Sequence, residues 1–361
     1  MDCYELMSPI IDALNARKHS ADIVELLFRN KCYYLLDNIL LSEDQQKQLN
    51  MILAVNEYNH KIKQSNIFEV LCEINNVDYA IVKGSVLSKK IYGDVRMRNS
   101  LDVDILVSPY NLNRVKKALL NNGFIQGYSK GTLLVPYKRD KKVYYVSNTH
   151  QLAPFIKKTN NRLCPFVSVD VNFSLFWGED SRRRDEMDIV LKDVLEDCID
   201  GQYFKRLLPE MEFIHLCLHH YKDLNSLYLI YKGKINFGLF SDIFFYVINA
   251  DLDWDRLKDI SEKLNVSKYI YYCLFFCSKI FFHDKLNRLL KYFDYAKNNE
   301  LLQSYGLTEK EQNKWEIEFY SRLLDENFCD RFTAGLDDKQ ILKIGYNEHF
   351  LANGVDLHEV K

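Results

Sequence analysis

Two aspartates stand two residues apart in Leu101-Asp-Val-Asp-Ile-Leu-Val107. In a strand, where side chains alternate with a period of two, Asp102 and Asp104 would leave one face together. Val103, Ile105 and Val107 would then face a core on the other side. Aspartate is disfavoured in strands, and neighbouring carboxylates on one face repel each other. A cation between them removes that cost, and Mg2+ takes a few carboxylates together with substrate phosphates. On its own the pair is also what a polar, solvated strand start looks like. A further carboxylate, Asp170, interrupts the apolar run Phe166–Phe176, and taken singly it equally suits the exposed face of an edge strand.

A second kind of signal lies upstream. Val82-Lys83-Gly84-Ser85 joins a β-like run, Val77–Val82, to a helix-like run, Val86–Tyr92. Glycine at such a turn lets the backbone approach a ligand closely. The first turn of the following helix carries unpaired N–H groups and a partial positive charge, which suit a phosphate. Ser85 could add its hydroxyl. A Gly-Ser turn is also a common plain helix cap, so this feature alone decides little.

The elements that must position these residues form a small α/β module. After the second strand comes a helix over Pro109–Asn122, closed by Gly123 as a C-cap. Thr132–Tyr137 and Lys142–Ser147 read as a hairpin about Arg139-Asp140-Lys141. Before the module, apolar residues recur at three- and four-residue spacing in Asp22–Phe28, Glu43–Tyr58 and Ser65–Asn75, with Ser42-Glu-Asp-Gln45 as a helix start. After Trp177-Gly178-Glu179-Asp180 the pattern reads as helical throughout, over Glu210–Tyr221, Gly238–Ala250, Asp253–Leu264, Lys268–Phe281 and Glu309–Leu323. The expected fold is therefore α+β. A mixed-sheet core over residues 66–180 is flanked by an N-terminal helical segment, 1–65, and a C-terminal helical domain, 181–361.

Composition narrows the function classes. In 361 residues, 47% are apolar and 14% aromatic, ample for a sizeable core rather than a disordered chain. Lysine and arginine number 48 against 50 acidic residues, a net charge of −2, so no global basic excess draws the chain to nucleic acid. The nine cysteines sit mostly in apolar runs and read as buried free thiols of a reducing compartment. No apolar stretch is long enough to span a bilayer, and a soluble cytoplasmic protein is expected. The abundant tyrosines and phenylalanines read as core rather than as a stack for bases.

The order strand, Gly-Ser turn, helix, Asp-x-Asp strand and later acid-bearing strand resembles the nucleotidyltransferase superfamily of the DNA polymerase β type. The likeness is closer still to a bacterial branch called uncharacterised nucleotidyltransferases. It is carried by Lys83-Gly84, Ile91-Tyr92-Gly93-Asp94, Arg98, Asp102-Val-Asp104-Ile-Leu-Val107 and Asp170-Val171-Asn172-Phe173. It extends more faintly to Pro209–His219 and to Phe240-Ser241-Asp242-Ile243. Where the branch commonly has a histidine two residues after the third acid, this chain has Asn172.

The resemblance implies roles. Asp102, Asp104 and Asp170 would meet and bind two Mg2+ ions, with Mn2+ as a substitute. Gly84 and Ser85 would hold phosphate oxygens, with Lys83 and Arg98 beside them. Lys83 would either neutralise phosphate or pair with an acid, and Arg98 would pair with Asp102 or Asp104, contact phosphate, or lie solvated. Apart from the resemblance, His219 and His220 at a helix end could reach the site but read first as satisfied packing histidines, and His219 and Asp242 could pair with each other across two helices in a structural role. The implied reaction moves a nucleoside monophosphate from a nucleoside triphosphate such as ATP to a small-molecule or peptide acceptor, releasing pyrophosphate. Relatives of this kind are associated with natural-product tailoring. A protein-modifying enzyme of the toxin or immunity type and a non-catalytic nucleotide-binding module are the alternatives. The oligomeric state is not legible. Asp104→Asn is expected to remove turnover while leaving folding nearly intact.

Overall fold

The structure is a computed structural model that describes residues 3–16, 23–98, 100, 102–177, 186–233, 237–308 and 311–351. Asp22, Leu101, residues 178–180 and Glu309, which carried expectations above, lie outside the described residues. The chain divides into two compact units. One comprises Ala54–Lys89, Asn99–Leu208 and Gly345–Lys361, and the other Met1–Leu53, Lys90–Arg98 and Pro209–Ile344.

The first of these carries the sheet. Its strands are β1 (Tyr79–Val82), β2 (Asp102–Val107), β3 (Ile125–Lys130), β4 (Leu133–Pro136), β5 (Phe155–Lys158) and β6 (Phe166–Asn172), in the spatial order β1-β2-β6-β5-β3-β4. Only β2 and β6 run parallel; the other neighbours are antiparallel. All four residues of β1 are buried. Along β6, Val167, Val169 and Val171 are buried while Ser168 and Asp170 are half-buried, the alternation expected of a strand with one face on the core. The helices are the long α1 (Glu43–Glu73), which begins in the other unit, then α2 (Gly84–Tyr92), α3 (Leu112–Asn121) and α4 (Arg139–Asn148). Helix α3 buries Val115, Ala118 and Leu119 at helical spacing. It ends where Gly123, at φ +81°, lets the chain turn back and the Phe124 N–H reach Leu119 O.

Two local expectations are corrected here. The hairpin is β3–β4, turning at Gly131 (φ +60°), and Arg139–Asn148 is a helix rather than its second arm. A strand would put neighbouring residues on opposite faces. The chain instead buries the adjacent Tyr144 and Tyr145 and exposes Val143 and Val146, which a helix accommodates. Strands β7 (Val194–Ile199) and β8 (Gln202–Leu207) form a second hairpin within a stretch read as helical. Its turn, Asp200-Gly201, has positive φ at both residues, 51° and 79°. An Asp-Gly pair between two apolar-bearing runs is the sequence signal for that turn.

The other unit is helical, with α5 (Pro209–Asn225), α6 (Phe237–Asn249), α7 (Trp254–Lys263), α8 (Ser267–Ser278) and α9 (Asp284–Tyr292). Helix α5 packs on α6, α7 and α8, and α9 on α6 and α8. Phe213, Phe240, Phe244, Tyr246, Tyr272 and Phe281 are fully buried, and the Phe244 and Phe281 rings stack at 4.4 Å. These aromatics are core, as their sequence context suggests. The helix expected to start at residue 309 is confined to Phe319–Leu324. Asn313–Lys314 pairs instead with Ser304–Tyr305 as a short antiparallel ribbon. The cysteines are free thiols, and Cys217, Cys273 and Cys277 are buried. No described helix is long and apolar enough to cross a membrane.

Candidate active site

Strands β2 and β6 set the acids. Their parallel register pairs Asp104 with Asp170 and Asp102 with Ser168. Cross-strand partners share a face, as do residues two apart on one strand. Asp102, Asp104 and Asp170 therefore project from the same side of the sheet. Asp104 is buried at 6% exposure, while Asp102 and Asp170 are half-buried. Asn172, two residues beyond Asp170, points its amide Nδ2 at Asp104 Oδ1 at 3.4 Å. The departure from the branch's histidine thus retains a donor facing the acids.

Strand β1 delivers the turn. Val82 pairs with Asp104, and the next two residues, Lys83 (φ +58°) and Gly84 (φ +52°), both adopt the left-handed conformation before α2 begins. Lysine rarely takes this conformation, and such strain gathers at functional sites. The Leu87 N–H donates to Lys83 O at 3.0 Å, so α2 is anchored at the turn. Ser85 is half-buried in its first turn. Lys83 Nζ lies 2.9 Å from Asp104 Oδ1, with side chains 13% and 7% exposed. Of the two roles weighed for Lys83, pairing with an acid is the one seen here.

The start of β2 is fastened by Ser100 and Lys63, which carried no expectation above. The Ser100 hydroxyl donates to the Asp102 carbonyl at 2.6 Å, and a β-carbon on Gly84 would lie 3.3 Å from Ser100 Oγ. Glycine is needed there for the contact as well as for φ. Lys63 of α1 donates its ammonium to the Ser100 carbonyl. Burial pushes the Lys63 ammonium below the ordinary lysine range, opposed by the nearby Asp102 carboxylate and the Cys164 thiol. A signal for Lys63 existed: it stands four residues before Ile67 and seven before Val70, on the buried stripe of its helix. Tyr137 had none. Its phenol is pushed up by burial and then by the Asp170 carboxylate, and Lys141 Nζ sits 4.6 Å from its ring centre.

Among the described residues, no three of His, Cys, Asp and Glu form a ready-made metal cluster. The acids nonetheless fit a hard divalent cation in donor chemistry, since all three offer carboxylate oxygens from one sheet face.

Arg98, His219 and Asp242 belong to the helical unit. Arg98 Nε donates to Asp242 Oδ2 at 2.9 Å, and the Tyr92 hydroxyl donates to Asp242 Oδ1 at 3.0 Å. Burial, then Asp242, pushes the Tyr92 phenol well up. The histidine near Asp242 is His220, at 3.8 Å, rather than His219, which pairs with Asp223 of its own helix at 3.5 Å. One residue along a helix rotates a side chain by about 100°, which decides between the two.

Residues 35–282, more than half of the chain, match the family described as "Uncharacterised nucleotidyltransferase". The chain belongs to that family. This nucleotidyltransferase is accordingly a transferase of nucleoside monophosphate groups with a nucleotide substrate. No curated protein matches it.

Proposed function

We propose that this nucleotidyltransferase moves a nucleoside monophosphate from a nucleoside triphosphate, ATP among them, to a hydroxyl or phosphate of a small-molecule or peptide acceptor, with release of pyrophosphate. The observation that carries this reading is the register of Asp104 with Asp170, which aligns three carboxylates on one face beside the Lys83-Gly84-Ser85 turn.

Asp102, Asp104 and Asp170 would hold Mg2+, or Mn2+ in its place. When bound, the metal would supply charge neutralisation at the transferring phosphoryl group. The chain's own groups do the rest. The first-turn N–H groups of α2 and the Ser85 hydroxyl bind phosphate oxygens. Lys63 and Ser100 brace the start of β2, from which Asp102 projects. Asp170, half-open on its strand, takes the proton of an attacking acceptor hydroxyl. The acceptor oxygen then bonds to the α-phosphorus as the bond to the pyrophosphate oxygen breaks. Positioning and charge neutralisation account for most of the acceleration in such transfers. The near-neutral net charge favours small acceptors over nucleic acid.

The test is transfer from α-phosphorus-labelled triphosphates in the presence of Mg2+, with label followed separately into small molecules, peptides and proteins of a cell extract. Label should enter the small-molecule or peptide fraction, and Asp170→Asn should abolish it. Label in protein alone would replace the acceptor class. Failure to bind any triphosphate in the presence of Mg2+ or Mn2+ would remove the reading.

A further inference from the structure

Both neighbours that hold the Asp104 carboxylate do so at one oxygen. Lys83 Nζ lies 2.9 Å from Oδ1, and Asn172 Nδ2 lies 3.4 Å from it. A divalent cation seeking that oxygen meets an ammonium already on it. We propose that Lys83 is an exchangeable counter-ion, which keeps Asp104 from a divalent cation until a triphosphate seats on the adjacent turn and takes the lysine over. This rests on the nucleotidyl-transfer reading above and adds to it an order of binding.

Burial explains why the lysine is there. The Asp104 side chain is 7% exposed and shares its face with Asp102 and Asp170. A buried carboxylate with no partner is strongly destabilising. In the metal-free protein, the positive charge of Lys83 meets that need. A cation and an ammonium cannot both crowd one oxygen without repelling each other, so loading metal at Oδ1 requires Lys83 to move off it.

The chain provides the lysine with an alternative. Lys83 directly precedes Gly84 and Ser85, and its ammonium rides on a flexible four-carbon stem. Its side chain is not fully enclosed, with 13% of it exposed. Phosphate oxygens held by the turn lie within reach of that stem. Once Lys83 pairs with phosphate, Asp104 is released to the cation. Each ligand then strengthens the other, and the coupling is equal in both directions.

The experiment measures Mn2+ binding by the loss of the free-ion electron paramagnetic resonance signal. It uses the full chain, with and without an α,β-methylene nucleoside triphosphate. Wild type should bind Mn2+ weakly alone and about tenfold or more tightly with the nucleotide analogue. Lys83→Met should bind Mn2+ alone about tenfold more tightly than wild type and lose most of the coupling. Lys83→Arg keeps the charge and the fold and should behave as wild type. The proposal falls if Lys83→Met leaves Mn2+ affinity unchanged or lowered while Asp104→Asn still abolishes binding; the metal site would then stand without the exchange. It falls equally if Lys83→Arg binds Mn2+ as tightly as Lys83→Met. Should Asp104→Asn bind Mn2+ as wild type does, the nucleotidyl-transfer reading of these acids falls with it.

Discussion

Asp104 and Asp170 are cross-strand partners on the parallel pair of strands in the described sheet, although two helices and three strands separate them in the chain. Parallel pairing fixes their backbones about 4.8 Å apart, so neither carboxylate depends on a loop for its position. A slip of one residue would turn Asp170 to the opposite face and bring Val169 or Val171 beside Asp104. The buried faces of these valines prevent the slip, and packing on one side of β6 thereby specifies chemistry on the other.

Asp104→Asn should lower turnover by about a thousandfold or more, the scale of losing one well-placed charged group at a reacting phosphate. The buried ion pair with Lys83 adds an expected cost in stability, where the sequence alone led to the expectation of nearly intact folding. Removing one partner of a buried ion pair costs roughly 3–5 kcal/mol. The asparagine carbonyl can still accept from Lys83, which favours the lower end. Urea denaturation read beside pyrophosphate release checks both. A variant as stable as wild type would show that the 2.9 Å pair is not formed in solution, and an active one would count against the site.

Gly84→Ala tests the turn. At φ +52° an alanine costs about 1–2 kcal/mol in conformation alone, and its β-carbon would press on Ser100 Oγ. Because Ser100 also holds the Asp102 carbonyl, the displacement should reach both halves of the site. Triphosphate affinity is expected to fall about tenfold, about 1.4 kcal/mol, as measured by calorimetric titration. Unchanged affinity would mean that phosphates do not seat here.

How far this arrangement could be read from the sequence differs by residue. The period-two spacing of Asp102 and Asp104 and the punctuation at Gly84 and Gly123 are local, so they were legible, and the α+β fold followed from them. The closeness of Asp170 to Asp104 depends on strand order, which no local pattern encodes; only family resemblance suggested it. Arg139–Asn148 misled because its tyrosines and valines favour strands, while the packing of Tyr144 and Tyr145 decides for a helix. The Asp200-Gly201 hairpin was legible and passed over. The Lys83–Asp104 pair was one of two open roles, since a lysine beside a turn reads the same whether it meets phosphate or carboxylate.

Arg98→Met and Asp242→Asn should destabilise the protein by similar amounts, roughly 3 kcal/mol each. The double variant should cost less than the sum, because the two side chains form one ion pair at 2.9 Å. Thermal denaturation of all four proteins closes the cycle. An Arg98→Met protein that keeps its stability and loses only triphosphate affinity would instead favour the phosphate contact, one of the roles the sequence leaves open.

Alkaline pH should weaken the helical unit through Tyr272. Burial pushes its phenol up to about 12, with Arg322 and the hydrogen bond to Asn225 pulling back. A raised folded value means that the folded state holds the proton more tightly than the unfolded chain does. The contribution is therefore fully present below the unfolded value near 10 and is lost as pH rises through about 12. Two pH units correspond to roughly 2–3 kcal/mol. Tyr272→Phe should cost about 1 kcal/mol at neutral pH through the lost hydrogen bond, and should flatten the decline of stability between about pH 10 and pH 12. Urea midpoints measured across that window for both proteins isolate the residue from the other tyrosines, lysines and cysteines that titrate there. Parallel declines in the two proteins would show that the Tyr272 phenol is not the group holding its proton.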